Sequence, residues 1–169
     1  MDKYLTKEEY EEIVKKDTYY KSRWNYLGHV VELARLINPR TTIEVGCRQV
    51  QIVKNSTIVD TKDIDGVDYI HDITNTPWPI IGPFDLFIAL QVWEHLKDKQ
   101  HLAFREVQRL CRMAIISVPW KWKTGHNDHI GINNATMLHW TNGVEPKFKI
   151  KCTIRKIHRM VYFYRFEET

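Results

Sequence analysis

Three carboxylates close three successive apolar runs: Glu44 in TTIEV, Asp60 in STIVD and Asp72 in VDYIHD. Acids at such positions are suited to accept hydrogen bonds from ribose hydroxyls and an exocyclic amine. Gly46, lacking a side chain, would let a ligand approach the backbone closely. A second group is made of imidazoles. His95 follows Glu94 in QVWEHL, and His126, Asp128 and His129 share the loop WKWKTGHNDHIGINN, with His139 beyond. A neutral histidine near pH 7 can take a proton from a hydroxyl as that oxygen attacks an electrophile. The His126-x-x-His129 spacing with Asp128 would also suit a metal, but it lacks a clear third strong ligand, so no metal is assigned. A third group combines aromatics with cations. Trp120, Lys121, Trp122 and Lys123 lead into that loop, and Lys147, Lys149, Lys151, Arg155, Lys156 and Arg159 follow without an acid among them. Such pairs stack bases or sugar rings and contact phosphates. Each feature also has an ordinary reading taken singly. A strand-end acid forms turns or caps helices, Glu94 suits a first helical turn, and a basic hairpin discourages edge-to-edge pairing.

The elements that must position these residues follow from hydrophobic period. Thr6 and Glu9 have capping-box spacing, so a helix runs through about Lys16. A second helix spans roughly Tyr19 to Ile37, with Tyr20, Trp24, Leu27, Val31 and Ala34 on one face, and Asn38-Pro39 ends it. The pattern then changes to short apolar runs at 41–45, 56–60, 67–72, 84–90 and 113–119, which reads as a parallel sheet buried on both faces. Before the last run, Asp98 is the expected N-cap of a helix whose buried side carries Leu102, Phe104, Val107, Leu110 and Cys111. A short helix around 134–141 and two alternating runs, FKIKCTIRKI and RMVYFYRFE, complete the chain as a terminal antiparallel hairpin. In an open parallel sheet, ligands bind beyond the carboxyl ends of the strands, where all three acids and His95 fall.

Composition bounds the rest. At 169 residues the chain is expected to form one domain, with helices over 1–38, a binding core over 41–119 and a loop-and-strand region over 120–169. Hydrophobic residues at 43% and charged residues at 27% are globular values. A net charge of +4 does not by itself imply nucleic acid. Three cysteines without a C-x-x-C pair point to thiols in a reducing compartment. The charged N-terminus lacks the apolar stretch of a signal peptide, and no apolar run approaches the ~18 residues of a membrane span. A cytoplasmic protein without membrane partners is expected.

The ordered series IEVG, VD, VDYIHDIT, PW, FDLFIALQVWEHL, EVQRL and AIISVPW closely resembles the class I S-adenosylmethionine-dependent methyltransferases, over roughly residues 20 to 165. It is most similar to their small type, whose fourth strand leads into an E-H-L stretch. The resemblance implies an α/β Rossmann-like fold, with a mostly parallel central sheet, helices on both faces and a C-terminal antiparallel hairpin. It also implies S-adenosylmethionine as cofactor. Glu44 and Gly46 would lie beside its methionine part, Asp60 would hold the ribose, Asp72 would sit beside the adenine with Ile73 packed on the ring, and Gln91 and Val92 would wall the sulfonium. The helix before the first strand often lids the cofactor in this family, and Arg23, in the cluster Tyr19-Tyr20-Arg23-Trp24, could bind its carboxylate. His95, His126 and His129 are the candidate bases, with Trp120 and Trp122 flanking the acceptor. That acceptor is expected to be a hydroxyl of a sugar or other small metabolite, with a glycan or carrier-bound acceptor also able to reach an open face. One departure stands out: where the family has G-x-G, this chain has Gly46-Cys47-Arg48. Arg48 could lie outward, pair with the cofactor's carboxylate, or fill the methionine pocket. The last option makes the chain a non-catalytic binding relative. Another alternative is a nucleic-acid methyltransferase using the basic hairpin.

Overall fold

The computed structural model describes residues 2–47 and 49–166. Its centre is a seven-stranded sheet in the order β3-β2-β1-β4-β5-β7-β6. The strands are β1 (Thr42–Val45), β2 (Thr57–Asp60), β3 (Tyr69–Ile70), β4 (Phe84–Leu90), β5 (Cys111–Pro119), β6 (Phe148–Ile154) and β7 (Ile157–Arg165). The first five are parallel, whereas β7 runs antiparallel to β5 and β6 to β7, so the terminal hairpin forms one flank. Helices α1 (Lys7–Lys16) and α2 (Trp24–Ile37) cover one face, and α3 (Gln100–Leu110) and α4 (Asn134–Trp140) the other.

The pleat assigns side chains to these faces. In β4, Leu86 and Ile88 pack towards α2, whereas Phe87 and Ala89 join Phe104 and Val107 of α3. In β1, Ile43 and Val45 face the α3 side, which sends Glu44 to the other. The strand-centred core is therefore apolar on both faces, as its continuous apolar runs require.

Several local expectations hold, and others shift. Thr6 and Glu9 form the reciprocal capping box, with Glu9 N donating to Thr6 Oγ1 at 3.2 Å and Thr6 N to Glu9 Oε2 at 2.9 Å. The second helix starts at Trp24 rather than Tyr19. Ser22 takes a left-handed φ of 67°, which breaks the run and leaves Thr18–Tyr20 as a separate 3-10 turn. The Tyr10 hydroxyl then serves as the cap that α2 lacks, accepting from Arg23 N at 3.0 Å and Trp24 N at 3.2 Å. Asn38 ends α2 in the left-handed conformation, with φ 48°. Asp98 is not the cap of α3: Lys99 occupies that position without a side-chain bond, and Asp98 has φ 66°. Cys111 begins β5 instead of lining α3, and Leu102 is only half-buried.

Candidate active site

Among the described residues no helix lies between β1 and β4, so this half of the sheet is held by side chains bonded to backbone. Above the carboxyl ends of β1 to β4 opens a cavity of about 990 Å³. Glu44, Gly46, Asp60, Asp72 and Ile73 line one end, Gln91, Val92 and His95 line the other, and Arg23 with Tyr19 and Tyr26 closes a side from the N-terminal helices. Sequence-expected residues from five separate segments thus meet at one surface. Arg48 lies outside the described residues.

At the β1–β3 end, each acid does a local job. Gly46 follows β1 with φ 64°, and a Cβ there would stand 2.7 Å from Val92 Cγ2, so any larger residue would strain the turn and displace Val92. Asp60 Oδ1 accepts from Lys62 N at 3.1 Å, and Asp72 Oδ1 accepts from Thr74 N at 2.9 Å. Both are turns closed by an aspartate, and the Thr74 bond holds the Asp72 carboxyl below its usual range. The remaining oxygen of Asp60 accepts nothing among the described residues. Ile73 is buried, and its carbonyl accepts from Trp78 Nε1 at 2.9 Å.

Glu44 borders the cavity, and its carboxylate is engaged by the protein's own donors. It is 1% exposed, and its oxygens accept from Ile52 N at 2.9 Å, Val53 N at 2.7 Å and Ser56 Oγ at 3.0 Å. These bonds fasten the segment after β1, which Leu5 N also grips through Ile52 O at 2.9 Å. Burial raises the Glu44 carboxyl to about 7 in spite of those donors. Beside it, burial pushes the Cys47 thiol up to about 12, which removes it as a nucleophile near neutral pH.

Arg23 projects from the start of α2. Its guanidinium lies 4.1 Å from the Tyr19 ring centre, Nε donates to Tyr19 O at 3.2 Å, and one terminal nitrogen donates to the Tyr26 hydroxyl at 3.4 Å. Among the described residues no carboxylate pairs with it at ion-pair distance, so it offers the cavity a cation.

At the β4–β5 end, the histidines converge. His95 Nδ1 lies 2.6 Å from Asp128 Oδ2, and His95 Nε2 lies 3.4 Å from His129 Nε2, so the turn after β4 meets the loop after β5. The Asp128 carboxyl is lowered, chiefly by the His95 bond, and His129 is lowered, chiefly by burial and then by the neighbouring His95. His126 stands apart: it is exposed and does not line the cavity, although its ring centre is 5.6 Å from that of His129. The tryptophans also depart from expectation. Trp120, expected beside the acceptor, is 8% exposed and packed in the α3-side core, its amide bonded to His158 O at 3.0 Å. Trp122 donates its indole N–H to the same carbonyl at 2.7 Å and lies edge-on to His129 at 5.5 Å, behind the cavity rather than in it.

Two further residues belong to this end, and sequence reasoning placed neither there. Arg159, read as part of an exposed basic hairpin, is 8% exposed and lies between the Tyr26 and Trp122 rings, at 5.1 and 5.6 Å. Its Nε donates to Gln91 Oε1 at 3.2 Å, while Gln91 Nε2 donates to Ser117 Oγ at 3.2 Å. Glu94, whose ordinary reading was a first-turn glutamate, is 3% exposed in the 3-10 turn Trp93–His95, and burial lifts its carboxyl to about 8. Its Oε2 has no hydrogen-bond partner. A signal for both was present: Glu94 sits between Trp93 and His95, and Arg159 alternates with residues of β7 that face inward.

No family model and no curated protein matches the sequence. Solved structures do match. The N-methyltransferase NodS from Bradyrhizobium japonicum WM9, in complex with S-adenosyl-L-homocysteine, superposes with a TM-score of 0.66 at 12% identity, covering 92% of this chain and 91% of that one. An S-adenosylmethionine-dependent methyltransferase from Clostridium acetobutylicum ATCC 824 gives 0.62 at 11% identity, covering 95% and 99%. The N-terminal domain of EvdMO1, solved in the presence of S-adenosylhomocysteine and D-fucose, gives 0.57 at 10% identity, covering 83% and 82%. With the strand order, the antiparallel hairpin and helices on both faces, these similarities show that the chain has the fold of the class I S-adenosylmethionine-dependent methyltransferases.

Proposed function

We infer that this chain transfers the methyl group of S-adenosylmethionine to a hydroxyl of a sugar or other small metabolite. The observation that carries this reading is the meeting, in one cavity, of a left-handed glycine turn with strand-end acids at one end and a carboxylate-held histidine at the other. The residues present fit the cofactor. About 990 Å³ accommodates it together with a small acceptor. The unengaged oxygen of Asp60 can accept from the ribose hydroxyls. Asp72 and Ile73 can border the adenine, and Arg23 supplies a cation for the carboxylate. Gln91 and Val92 wall the space between. Bound there, S-adenosylmethionine supplies an electrophilic methyl on a sulfonium.

The chain's own task is then alignment, water exclusion and removal of one proton. Asp128 makes His95 Nδ1 the donor of their bond and leaves Nε2 with the lone pair, the form a general base requires. His129 stands beside that nitrogen and His126 outside the cavity, so His95 is the base favoured here. D-fucose in the EvdMO1 structure, a property of that protein, supports a sugar as acceptor. NodS, by its name an N-methyltransferase, makes an amine the acceptor to try next.

Calorimetric titration with S-adenosylhomocysteine tests the reading directly. Binding is expected, and Asp60→Ala should weaken it by about tenfold or more, the worth of a hydrogen bond to a charged group. His95→Ala should bind the cofactor product normally and slow transfer of labelled methyl to a sugar panel by about 100-fold. A folded chain that binds neither S-adenosylmethionine nor its product would overturn the reading and make this a binding protein with a closed cofactor pocket.

A further inference from the structure

We propose that Glu94, His95 and His129 form a site for one divalent transition-metal ion at the acceptor end of the cavity. A carboxylate oxygen of Glu94 and one nitrogen of each imidazole lie within 4.8 Å of one another. Two nitrogens bound tetrahedrally to one ion at ~2.1 Å stand ~3.4 Å apart. His95 Nε2 and His129 Nε2 are 3.4 Å apart. Asp128 holds His95 Nδ1 at 2.6 Å, which turns the lone pair of Nε2 towards His129. A carboxylate behind a metal-binding imidazole is the usual outer partner of such a ligand, fixing both its tautomer and its orientation.

Glu94 is an independent sign that this place suits a cation. Its side chain is almost fully enclosed, yet Oε2 bonds to nothing. A buried carboxylate without a partner is costly, and few arrangements keep one unless a cation meets it. The nearby cations act on it only through space. Arg159 is committed to Gln91 and stacked between two rings, Arg23 to Tyr19 and Tyr26, and neither makes an ion pair with Glu94. An ion between Glu94 and the two imidazoles would engage the buried carboxylate and both nitrogen lone pairs together. Two nitrogens and one carboxylate oxygen suit zinc, cobalt or manganese in preference to magnesium or calcium, which take oxygen ligands.

Three protein ligands leave a position open, and His95 faces the cavity, so an acceptor oxygen could take it. The site itself stands without the methyl-transfer reading, whereas this use of it rests on that reading. With the ion bound, the His95 lone pair is taken. The acceptor hydroxyl, its pKa lowered by the bound cation, would then release its proton to solvent water at the cavity mouth instead of to an imidazole, before its oxygen takes the methyl group from the sulfonium. The His126–Asp128–His129 grouping considered from spacing is thereby replaced. Two of the three ligands, Glu94 and His95, come from the turn after β4, far from His129 in sequence.

The test uses the full, untagged chain stripped with a chelator. Co2+ is titrated by visible absorption, and Zn2+ and Mn2+ by calorimetry. One saturable ion per chain is expected. Glu94→Gln and His129→Ala should each weaken it by at least about 100-fold, Asp128→Asn by about tenfold, and His101→Ala not at all. Should Glu94→Gln fail to fold, His129→Ala carries the test, because His129 lies in a loop outside the core. No saturable site for any of the three ions in a folded chain, or undiminished binding by His129→Ala, overturns the proposal. S-adenosylhomocysteine is titrated separately in excess chelator. Binding of that ligand without any metal site would sink this proposal and leave the methyl-transfer reading standing, and the reverse result would do the opposite.

Discussion

The two halves of the sheet are built by different means. Strands β1, β2 and β3 are four, four and two residues long, whereas β4, β5 and β7 have seven, nine and nine. The short half has no crossover helices among its described residues, and acids replace them. Glu44 holds the segment at 52–56, Asp68 accepts from Ile58 N at 2.8 Å, and Asp60 and Asp72 close turns. The long half is held by ladders and by rings. Phe104 of α3 lies edge-on to Trp93, Tyr164 and Phe166, at 6.4, 5.2 and 5.7 Å. A frame of buried rings keeps its shape without a ligand. A rim of carboxylates bonded to backbone is local and sensitive to charge, and it is where a polar cofactor can complete what the protein leaves open.

The largest expected effect tests the rigid half. Phe104 is fully enclosed, and Phe104→Ala should cost about 3–5 kcal/mol of stability, as loss of a core ring does. Urea unfolding would measure it. Phe104 does not touch the cavity, so affinity for S-adenosylhomocysteine should be unchanged in the fraction that remains folded. If affinity fell in step with stability, the two halves would be one cooperative unit, and the contrast between them would lose its meaning.

The same contrast governs how much was legible in the sequence. Strands buried on both faces announce themselves, because runs such as FDLFIAL and MAIISVP have no other place to go. The strand-end acids could be located too, since strand order alone puts Asp60 and Asp72 on one rim. What each acid touches could not be read. Glu44 bonds to Ile52 and Val53, a pairing that depends on the path of a segment without hydrophobic period. Trp120 looked free because a polar loop follows it, yet it is the last inward-facing residue beyond β5. Arg159 looked exposed among lysines, but its register opposite Pro119 and Cys152 places it between two neighbouring strands, on the face it shares with buried Val161 and Phe163. The Glu94–His95–His129 grouping joins residues across the sheet's top, and no periodicity carries such information.

The next effect probes the charge-sensitive half through Glu44. Its carboxyl titrates near 7 in the folded chain against an ordinary value of 4.5, so between those pH values the folded state binds the extra proton. Stability from this group is therefore fully present below about pH 4.5 and is lost as pH rises through about 7, a swing on the order of 3 kcal/mol. Glu44→Gln removes the titration while keeping the shape. Its amide group would oppose one backbone N–H, so the variant should be less stable than the wild type at pH 5. Its deficit should then shrink steadily towards pH 8. Urea midpoints at several pH values would show it, and parallel curves for the two proteins would rule out Glu44 as the titrating group.

The smallest effect sits where the two halves touch. Gly46 belongs to the acid-held half and Val92 to the turn after β4, and Val92 Cγ2 would stand 2.7 Å from a Cβ on Gly46. Gly46→Ala should cost about 2 kcal/mol, partly from the left-handed φ and partly from that contact. Val92→Ala removes the contact but not the backbone strain. In the double variant about 1 kcal/mol should therefore return, beyond what the two single changes predict by addition. That coupling is the share of the glycine's role due to packing against the other half, and the remainder is conformational. The same cycle measured on S-adenosylhomocysteine affinity separates a third share. If the ligand itself runs over Gly46, Gly46→Ala should weaken binding even with Val92 cut back. If Val92→Ala fully restores binding, the glycine is needed only to let the two halves close on each other.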